Sequence, residues 1–474
     1  MLDTISIIVG IVIGTAIFKT PPLVFANVPT AAVGMALWLF GGFLAFNGAL
    51  CYAELATAYP HSGGDYQFLR RAFGPFVAFL FGWSQLAAIL TGSIAAMAFA
   101  LTDYAEHIVA VGATEKLAVS VFVVVALTGL NLLGVTAGKW MQNVLACAKI
   151  VAIVAIVVAA VVAILSGSAA GNASSAGVAG PDDGPHDYKF GLALVFIFYA
   201  YGGWNDAAFV AGEVRSPQRN TPRALLWGVG LVTACYLAVN LAYLAVLGIN
   251  DLRGSGAPAA EMMERALGPW AAQAMSAVVV VSALGAINGM ILAGSRVYAA
   301  LGKDHRIFAP LGQWRPGRDV PTWALVAQAA VAVFLILGVG TAMGRGWLDG
   351  IAQAIGLSAI PWDKYYGGFD TLVAGTAPVF WLFFLLTGVS QMVLRWKEPQ
   401  RARPYQTPYY PASTLLFIGM CTYMLGSSLL YARGLSLMGA VPLIVGAILY
   451  VIPSARHAAV SDVPPAGGNA GSQQ

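Results

Sequence analysis

Charge is what this chain has least of. Asp, Glu, Lys and Arg make up 10% of its 474 residues, against about a quarter in a soluble domain, which excludes an ordinary water-soluble fold. Histidine is sparse too. All five (His61, His107, His186, His305, His457) fall in predicted loops or the tail. A membrane enzyme needs clustered His, Asp or Glu at depth for metal or acid–base work, so no catalytic residue, metal or cofactor is expected. The four cysteines (Cys51, Cys147, Cys235, Cys421) lie inside apolar segments. They offer no disulfide framework and indicate no disulfide-linked partner subunit. No charged pore ring or repeated filter loop points to a channel. No soluble signalling domain is appended, only a short Pro/Gly-rich tail after Ile452, which argues against a non-transporting sensor.

What the chain has is apolar length: 59% hydrophobic residues and a mean hydropathy of +0.75. Twelve runs are long enough to cross a bilayer: Leu2–Val28, Ala31–Ala58, Phe76–Leu101, Leu117–Leu133, Met141–Leu165, Phe190–Gly212, Ala224–Leu247, Trp270–Ala300, Thr322–Gly338, Thr371–Leu394, Ser413–Tyr431 and Leu437–Ile452. The chain is therefore expected to be all-α and integral to a membrane. Its first segment is too long for a signal-peptide core and lacks a cleavage site. No basic flank precedes it, so a trimmed start is expected. With both ends cytoplasmic, 16 of the 25 Lys and Arg fall on inner loops and ends and 7 on outer loops, as the positive-inside rule requires. The net charge of +4 thus reports topology in a cell membrane rather than nucleic-acid binding. The Asn172-Ala-Ser174 sequon falls in an outer loop. Thr341–Phe369, rich in Gly and aromatics, reads as a long outer loop and partial lid.

The sequence repeats itself. Ser62-Gly63 and then Arg71-Ala-Phe-Gly-Pro75 stand between segments two and three, and Ser255-Gly256 and then Arg265-Ala-Leu-Gly-Pro269 stand between segments seven and eight. Five spans separate the copies, an odd number, so they lie on opposite membrane faces. That is the inverted repeat of a five-plus-five transporter core. It divides the chain into 1–190 (first repeat), 191–394 (second repeat), 395–453 (two added helices) and 454–474 (a disordered cytoplasmic tail).

Segments one and six, equivalent in that repeat, are both interrupted: by Gly10-Ile-Val-Ile-Gly14-Thr15-Ala16-Ile17-Phe18, and by Phe198-Tyr199-Ala200-Tyr201-Gly202-Gly203-Trp204-Asn205. Clustered glycine marks helix that unwinds, and unwound backbone at membrane depth lines a cavity or lies buried in protein. Half-helix N-termini offer N–H donors and a positive dipole end to a carboxylate. The facing carbonyls suit an ammonium group. Two opposed breaks thus read a zwitterion through backbone alone. Gly10-xxx-Gly14 alone equally fits close helix packing.

These residues resemble the amino acid–polyamine–organocation superfamily, the second motif resembling its L-type amino acid transporter branch. Tyr52-Ala-Glu-Leu55, Ser62-Gly-Gly-Asp-Tyr66, Gln142 to Lys149, Arg219-Asn-Thr-Pro-Arg223 and Asn288 through Arg296 match in order. The resemblance implies twelve transmembrane helices in a LeuT-type fold with broken helices one and six, and sodium-independent secondary transport of amino acids by alternating access, as proton-coupled symport or exchange. It places the substrate at Gly14, Thr15, Ala16, Ile17, Tyr199, Ala200, Gly202 and Asn205. Thr15 and Ala16 would meet the carboxylate, Tyr199 would be the aromatic gate, and the carbonyls of Tyr199, Ala200 and Gly202 would meet the amino group. Thr15-Ala16 stands where many relatives have Ser-Gly, which narrows the carboxylate niche.

A lysine at membrane depth is a functional candidate. In the family, a lysine at the place of Lys149 puts its ammonium where sodium-coupled cousins hold sodium, against the first helix near Gly10. It either stays charged and locks the bundle, titrates and carries a proton, or is structural. Asp206 either pairs with a cation or biases the site toward cationic amines and polyamines. Lys19 is expected to snorkel to the outer vestibule and Glu54 to pair with an inner-loop Arg. Arg215, Arg219, Arg223, Arg395, Lys397, Arg401 and Arg403 read as a solvated cytoplasmic face.

Overall fold

A computed structural model describes residues 16–60, 63–109, 112–167, 188–205, 217–315, 317, 320–354, 356, 360, 362, 367–431 and 434–452, with 135–148 and 217 as backbone only. Gly10, Gly14, Thr15, Asp206 and Asn172 lie outside these residues. Among the described residues the regular structure is helical, apart from one bridge between Arg315 and Val320. The helices are α1 Ala16–Phe25, α2 Ala31–Ala58, α3 Asp65–Phe73, α4 Pro75–Ala105, α5 Ala113–Leu132, α6 Val135–Leu165, α7 Phe190–Tyr201, α8 Pro217–Gly254, α9 Pro258–Leu267, α10 Pro269–Asp304, α11 Thr322–Gly340, α12 Ala342–Ala354, α13 Gly368–Lys397, α14 Ala412–Tyr431 and α15 Leu437–Val451.

Eight of these are long and apolar enough to cross a membrane: α2, α4, α5, α8, α10, α11, α13 and α14. Four shorter apolar helices accompany them: α1, the Lys149–Leu165 part of α6, α7 and α15. Large apolar side chains such as Phe122, Trp227, Phe334 and Leu430 point outward with two thirds or more of their surface exposed. Patches of this kind suit lipid rather than water. The core instead collects around α2, α4, α7, α8, α10 and α13, where Trp38, Tyr52, Tyr104, Tyr201, Tyr236 and Tyr298 are fully buried.

The repeated loop motif folds the same way twice. Gly74 ends α3 at φ 93°, ψ −179° and Pro75 opens α4. Gly268 ends α9 at φ 95°, ψ 176° and Pro269 opens α10. Each glycine N–H closes back on the carbonyl four residues earlier, at 2.9 Å to Arg70 and 2.8 Å to Glu264. Only glycine takes this backbone shape cheaply, and proline suits the first helical position because its missing N–H is not needed there.

Two expectations shift. The stretch 341–369 contains a thirteen-residue helix, α12, whose Asp349 accepts from the Ile360 N–H and the Trp362 indole, both at 2.9 Å. Its glycines masked a helical apolar face in the sequence. Arg395 and Arg403 do not form a merely solvated face. Glu54, 2% exposed, accepts two bonds from Arg395 at 2.7 and 2.6 Å, one from Gln391 at 3.0 Å and one from the Thr407 N–H at 2.8 Å, and Arg403 stands 3.6 Å away. This clamp, which bears out the expected Glu54–Arg pairing, ties the end of α2 to the end of α13 and the segment after it.

Candidate functional site

Helix α7 stops because of its sequence. Gly202 leaves the helix at φ −57°, ψ 160°, with its N–H turned back to the Tyr199 carbonyl at 3.1 Å. Gly203 follows at φ 94°, where a side chain would be strained. The orphaned Ala200 carbonyl accepts the Tyr236 phenol of α8 at 2.8 Å. A carbonyl has two lone pairs, so one remains for a ligand. Helix α1 begins its described course at Ala16 and carries Pro21 and Pro22. Pro22 has no N–H to return to the Phe18 carbonyl, and the Tyr104 phenol of α4 supplies the missing donor.

The start of α1 and the end of α7 border one cavity of about 120 Å³. Of the predicted substrate residues, Ala16, Tyr199, Ala200, Gly202 and Asn205 line it together with Gly203. Ile17 is fully buried and does not line it. Three elements that the sequence did not single out complete it: α4 through Gln85, Ile89, Ser93 and Met97, α10 through Ala286 and Met290, and α13 through Thr376, Phe380 and Trp381. Every described lining residue is uncharged. Gln85 sits in a π-helical turn, Gln85–Ile89. Its backbone carbonyl accepts the Tyr298 phenol at 3.1 Å, and its side-chain amide oxygen is buried without a hydrogen-bond partner. A buried, unsatisfied acceptor on a cavity wall is a place for a ligand donor. The π turn was invisible in the sequence, since nothing local marks an extra residue in a helix.

Tyr199 meets the ring of Phe369 edge to face, 5.5 Å between centroids, and Ser93 faces its phenol. The other candidate aromatics are engaged elsewhere. Tyr201 donates to the Trp38 carbonyl at 3.1 Å, and Trp204 packs against Tyr52 at 4.9 Å and Phe384 at 5.8 Å. Lys149 is 1% exposed within α6 and is not a lining residue.

Charged side chains tie α1 to α4 and to the segment before α9. Lys19 does not snorkel freely: its ammonium lies 2.8 Å from Asp103 of α4 and donates to the Gly256 carbonyl at 3.0 Å. Lys116 stands 3.8 Å from Asp103 and 2.6 Å from Glu106, and its hydrogen bond holds the Glu106 carboxyl below the usual carboxylate range. Arg253 bonds the Phe25 and Val28 carbonyls at 3.0 and 2.8 Å, pinning the end of α1. Among the described residues no group of three or more His, Cys, Asp or Glu could hold a metal ion.

The family model for amino acid permeases matches residues 1–453, and the chain belongs to that family of multi-pass membrane transporters. Its relatives are transporters. It is 29% identical over 426 residues to the b(0,+)-type amino acid transporter 1 of Mus musculus, covering 89% of this chain and 80% of that one. It is 26% identical over 436 residues to the serine/threonine exchanger SteT of Bacillus subtilis, covering 91% and 90%. The large neutral amino acids transporter small subunit 2 of Homo sapiens is 27% identical over 427 residues, covering 88% and 73%.

Proposed function

We infer that this chain carries small neutral amino acids across a cell membrane by alternating access without sodium, in exchange for a second amino acid or together with a proton. The observation that carries the reading is the cavity itself, where the start of α1 at Ala16 faces the broken end of α7 and no described lining residue bears a charge. The positive end of α1 suits an α-carboxylate. The carbonyls of Tyr199, Ala200 and Gly202 and the amide of Asn205 suit an α-ammonium. A polyamine or cationic side chain would leave a charge without a counterion in this lining, at high cost, so the zwitterion is favoured over the cationic-amine reading. The volume of about 120 Å³ is well below the roughly 300–1,000 Å³ of drug-sized pockets. It suits a short side chain, with Gln85 and Ser93 placed for a polar one. SteT is named for serine and threonine, which agrees.

The eight long apolar helices and the four shorter ones fall on the twelve segments expected from the sequence, and the matching corners at Gly74 and Gly268 support a LeuT-type five-plus-five arrangement. In that arrangement both ends are cytoplasmic, Tyr199 closes over substrate from the Lys19 face, and the Lys149 ammonium occupies the place of a sodium ion.

The test is uptake of a labelled amino acid panel into proteoliposomes, with and without sodium, a pH gradient and preloaded substrate. Uptake of small neutral amino acids independent of sodium is expected. Sodium stimulation, or competition by methyl esters or plain amines as effective as the parent amino acids, would overturn the reading.

A further inference from the structure

Asp65 opens α3, directly after Gly63 (φ 105°) and Gly64 (φ 44°) turn the chain inward. It is 2% exposed, yet forms no ion pair among the described residues. The two arginines of its own helix point away, Arg70 to Asp304 at 3.1 Å and Arg71 to Glu398 at 3.8 Å. What faces the carboxyl comes from three other places in the fold: the Tyr52 phenol of α2, the Thr387 hydroxyl of α13 and the Asn205 amide just past α7. Among the described residues a further titratable group of this cluster is the Cys421 thiol of α14, which approaches Tyr52. Carboxyl oxygen Oδ1 and the hydroxyls of Tyr52 and Thr387 are all buried without a hydrogen-bond partner. Tyr52 is itself boxed by Phe68, Trp204, Phe384 and Phe417, with ring centroids 4.9–6.4 Å apart, so bulk water is kept out. Asn205 lines the substrate cavity. The carboxyl therefore lies one side chain away from the cavity.

Two effects compete at Asp65. Burial favours the neutral acid. The polar groups that face it and the positive end of α3 favour the carboxylate. Burial is the larger, and the group is pushed up to about 7. A carboxylate only accepts, so it favours the Asn205 N–H turned toward it and leaves the amide oxygen for another donor, the polarity an α-ammonium needs. A protonated Asp65 carries a donor, for which the Asn205 oxygen competes as acceptor with the Tyr52 and Thr387 hydroxyls, so protonation changes the hydrogen bonding of the one neighbour that lines the cavity.

We propose that Asp65 is an exchangeable proton site coupled through Asn205 to the substrate, so that substrate binds more weakly when Asp65 is protonated and binding expels the proton. The site rests on the amino acid reading above only for its coupling to substrate. By linkage the effect is reciprocal.

Two measurements separate the parts. Infrared difference spectroscopy of the purified full chain, titrated from pH 5.5 to 8.5 without substrate, should show a buried protonated carboxyl band that fades through neutral pH and is missing in Asp65→Asn. Tyr52→Phe and Thr387→Val each remove a hydroxyl that faces the carboxyl and favours its charged form, and should move the midpoint upward, which keeps the test decisive should Asp65→Asn fold poorly. Equilibrium binding of labelled L-serine or L-alanine, whichever the uptake panel selects, should weaken by about five-fold or more between pH 8 and pH 5.5 in the wild type, the scale of ordinary allosteric coupling, and become flat in Asp65→Asn. A side chain needed only for packing would lower binding equally at every pH. An infrared titration identical in wild type and Asp65→Asn overturns the proton site. Binding that is flat, tighter in acid, or equally pH-dependent in Asp65→Asn overturns the coupling. A midpoint that moves with sodium or potassium at constant ionic strength makes the cluster a cation site and overturns the proposal.

Discussion

Replacing Lys19 by Met should open the cavity toward the Lys19 side, because its ammonium ties α1 to Asp103 of α4 and to Gly256. The Lys19–Asp103 pair is close, 2.8 Å, and half-shielded, the two side chains being 16% and 34% exposed. Fully exposed pairs give about 0.2–1 kcal/mol and the loss of one partner of a buried pair costs about 3–5 kcal/mol, so a value near 1 kcal/mol after screening is reasonable here. The bond from the same ammonium to the Gly256 carbonyl at 3.0 Å adds about 1.5 kcal/mol, the low end for a charged donor. Met keeps the apolar stem and loses both. A shift of about 2.5 kcal/mol between closed and open states is roughly 70-fold in population. The assay is the labelling rate of a single cysteine at Ser93, with the natural cysteines replaced, by a membrane-impermeant maleimide added from the Lys19 side. Labelling should accelerate by roughly that factor, and Lys19→Asp combined with Asp103→Lys should slow it again. Lys116→Met should act weakly, since its contact with Asp103 is 3.8 Å long. A Lys19→Met rate within about two-fold of the parent would refute the assignment of this pair as the seal.

Tyr199→Ala should reduce uptake far more than it reduces yield or thermal stability, because it removes the ring that lines the cavity and meets Phe369 edge to face; unchanged uptake in a well-expressed variant would place the gate elsewhere. Lys149→Ala should cripple transport while the protein stays folded, and full activity without sodium would end the view that its ammonium replaces that ion. Glu54→Gln should lower the apparent melting temperature in detergent, since it leaves Arg395 and Arg403 without their carboxylate, a loss of about 3 kcal/mol. Glu54→Leu with Arg395→Met should recover most of that loss, and equal melting of Glu54→Gln and wild type would show that the clamp stabilises nothing.

Apolar run length, the glycine break at Gly202-Gly203 and the repeated Arg-Ala-x-Gly-Pro corners were legible because each is a local property. A bilayer sets span length, and glycine and proline set backbone shape wherever they stand. That is how Ala16, Tyr199, Ala200, Gly202 and Asn205 could be named before any coordinates and then be found around one cavity. Tertiary structure alone decided the other half of the wall. Gln85 reaches it through a π turn that depends on packing, and Ser93, Met290 and Trp381 reach it because α4, α10 and α13 happen to turn those faces inward. Burial was equally hidden. Arg395 reads as a surface cation until Glu54, 341 residues away in sequence, is seen to hold it. Asp65 reads as one more acidic residue in a glycine-rich loop until α2, α13 and the segment past α7 are seen to face it, with no ion pair to it among the described residues. Spacing along a chain reports periodicity and backbone shape; which distant side chain faces a charge, and whether water reaches it, arises only when the helices pack.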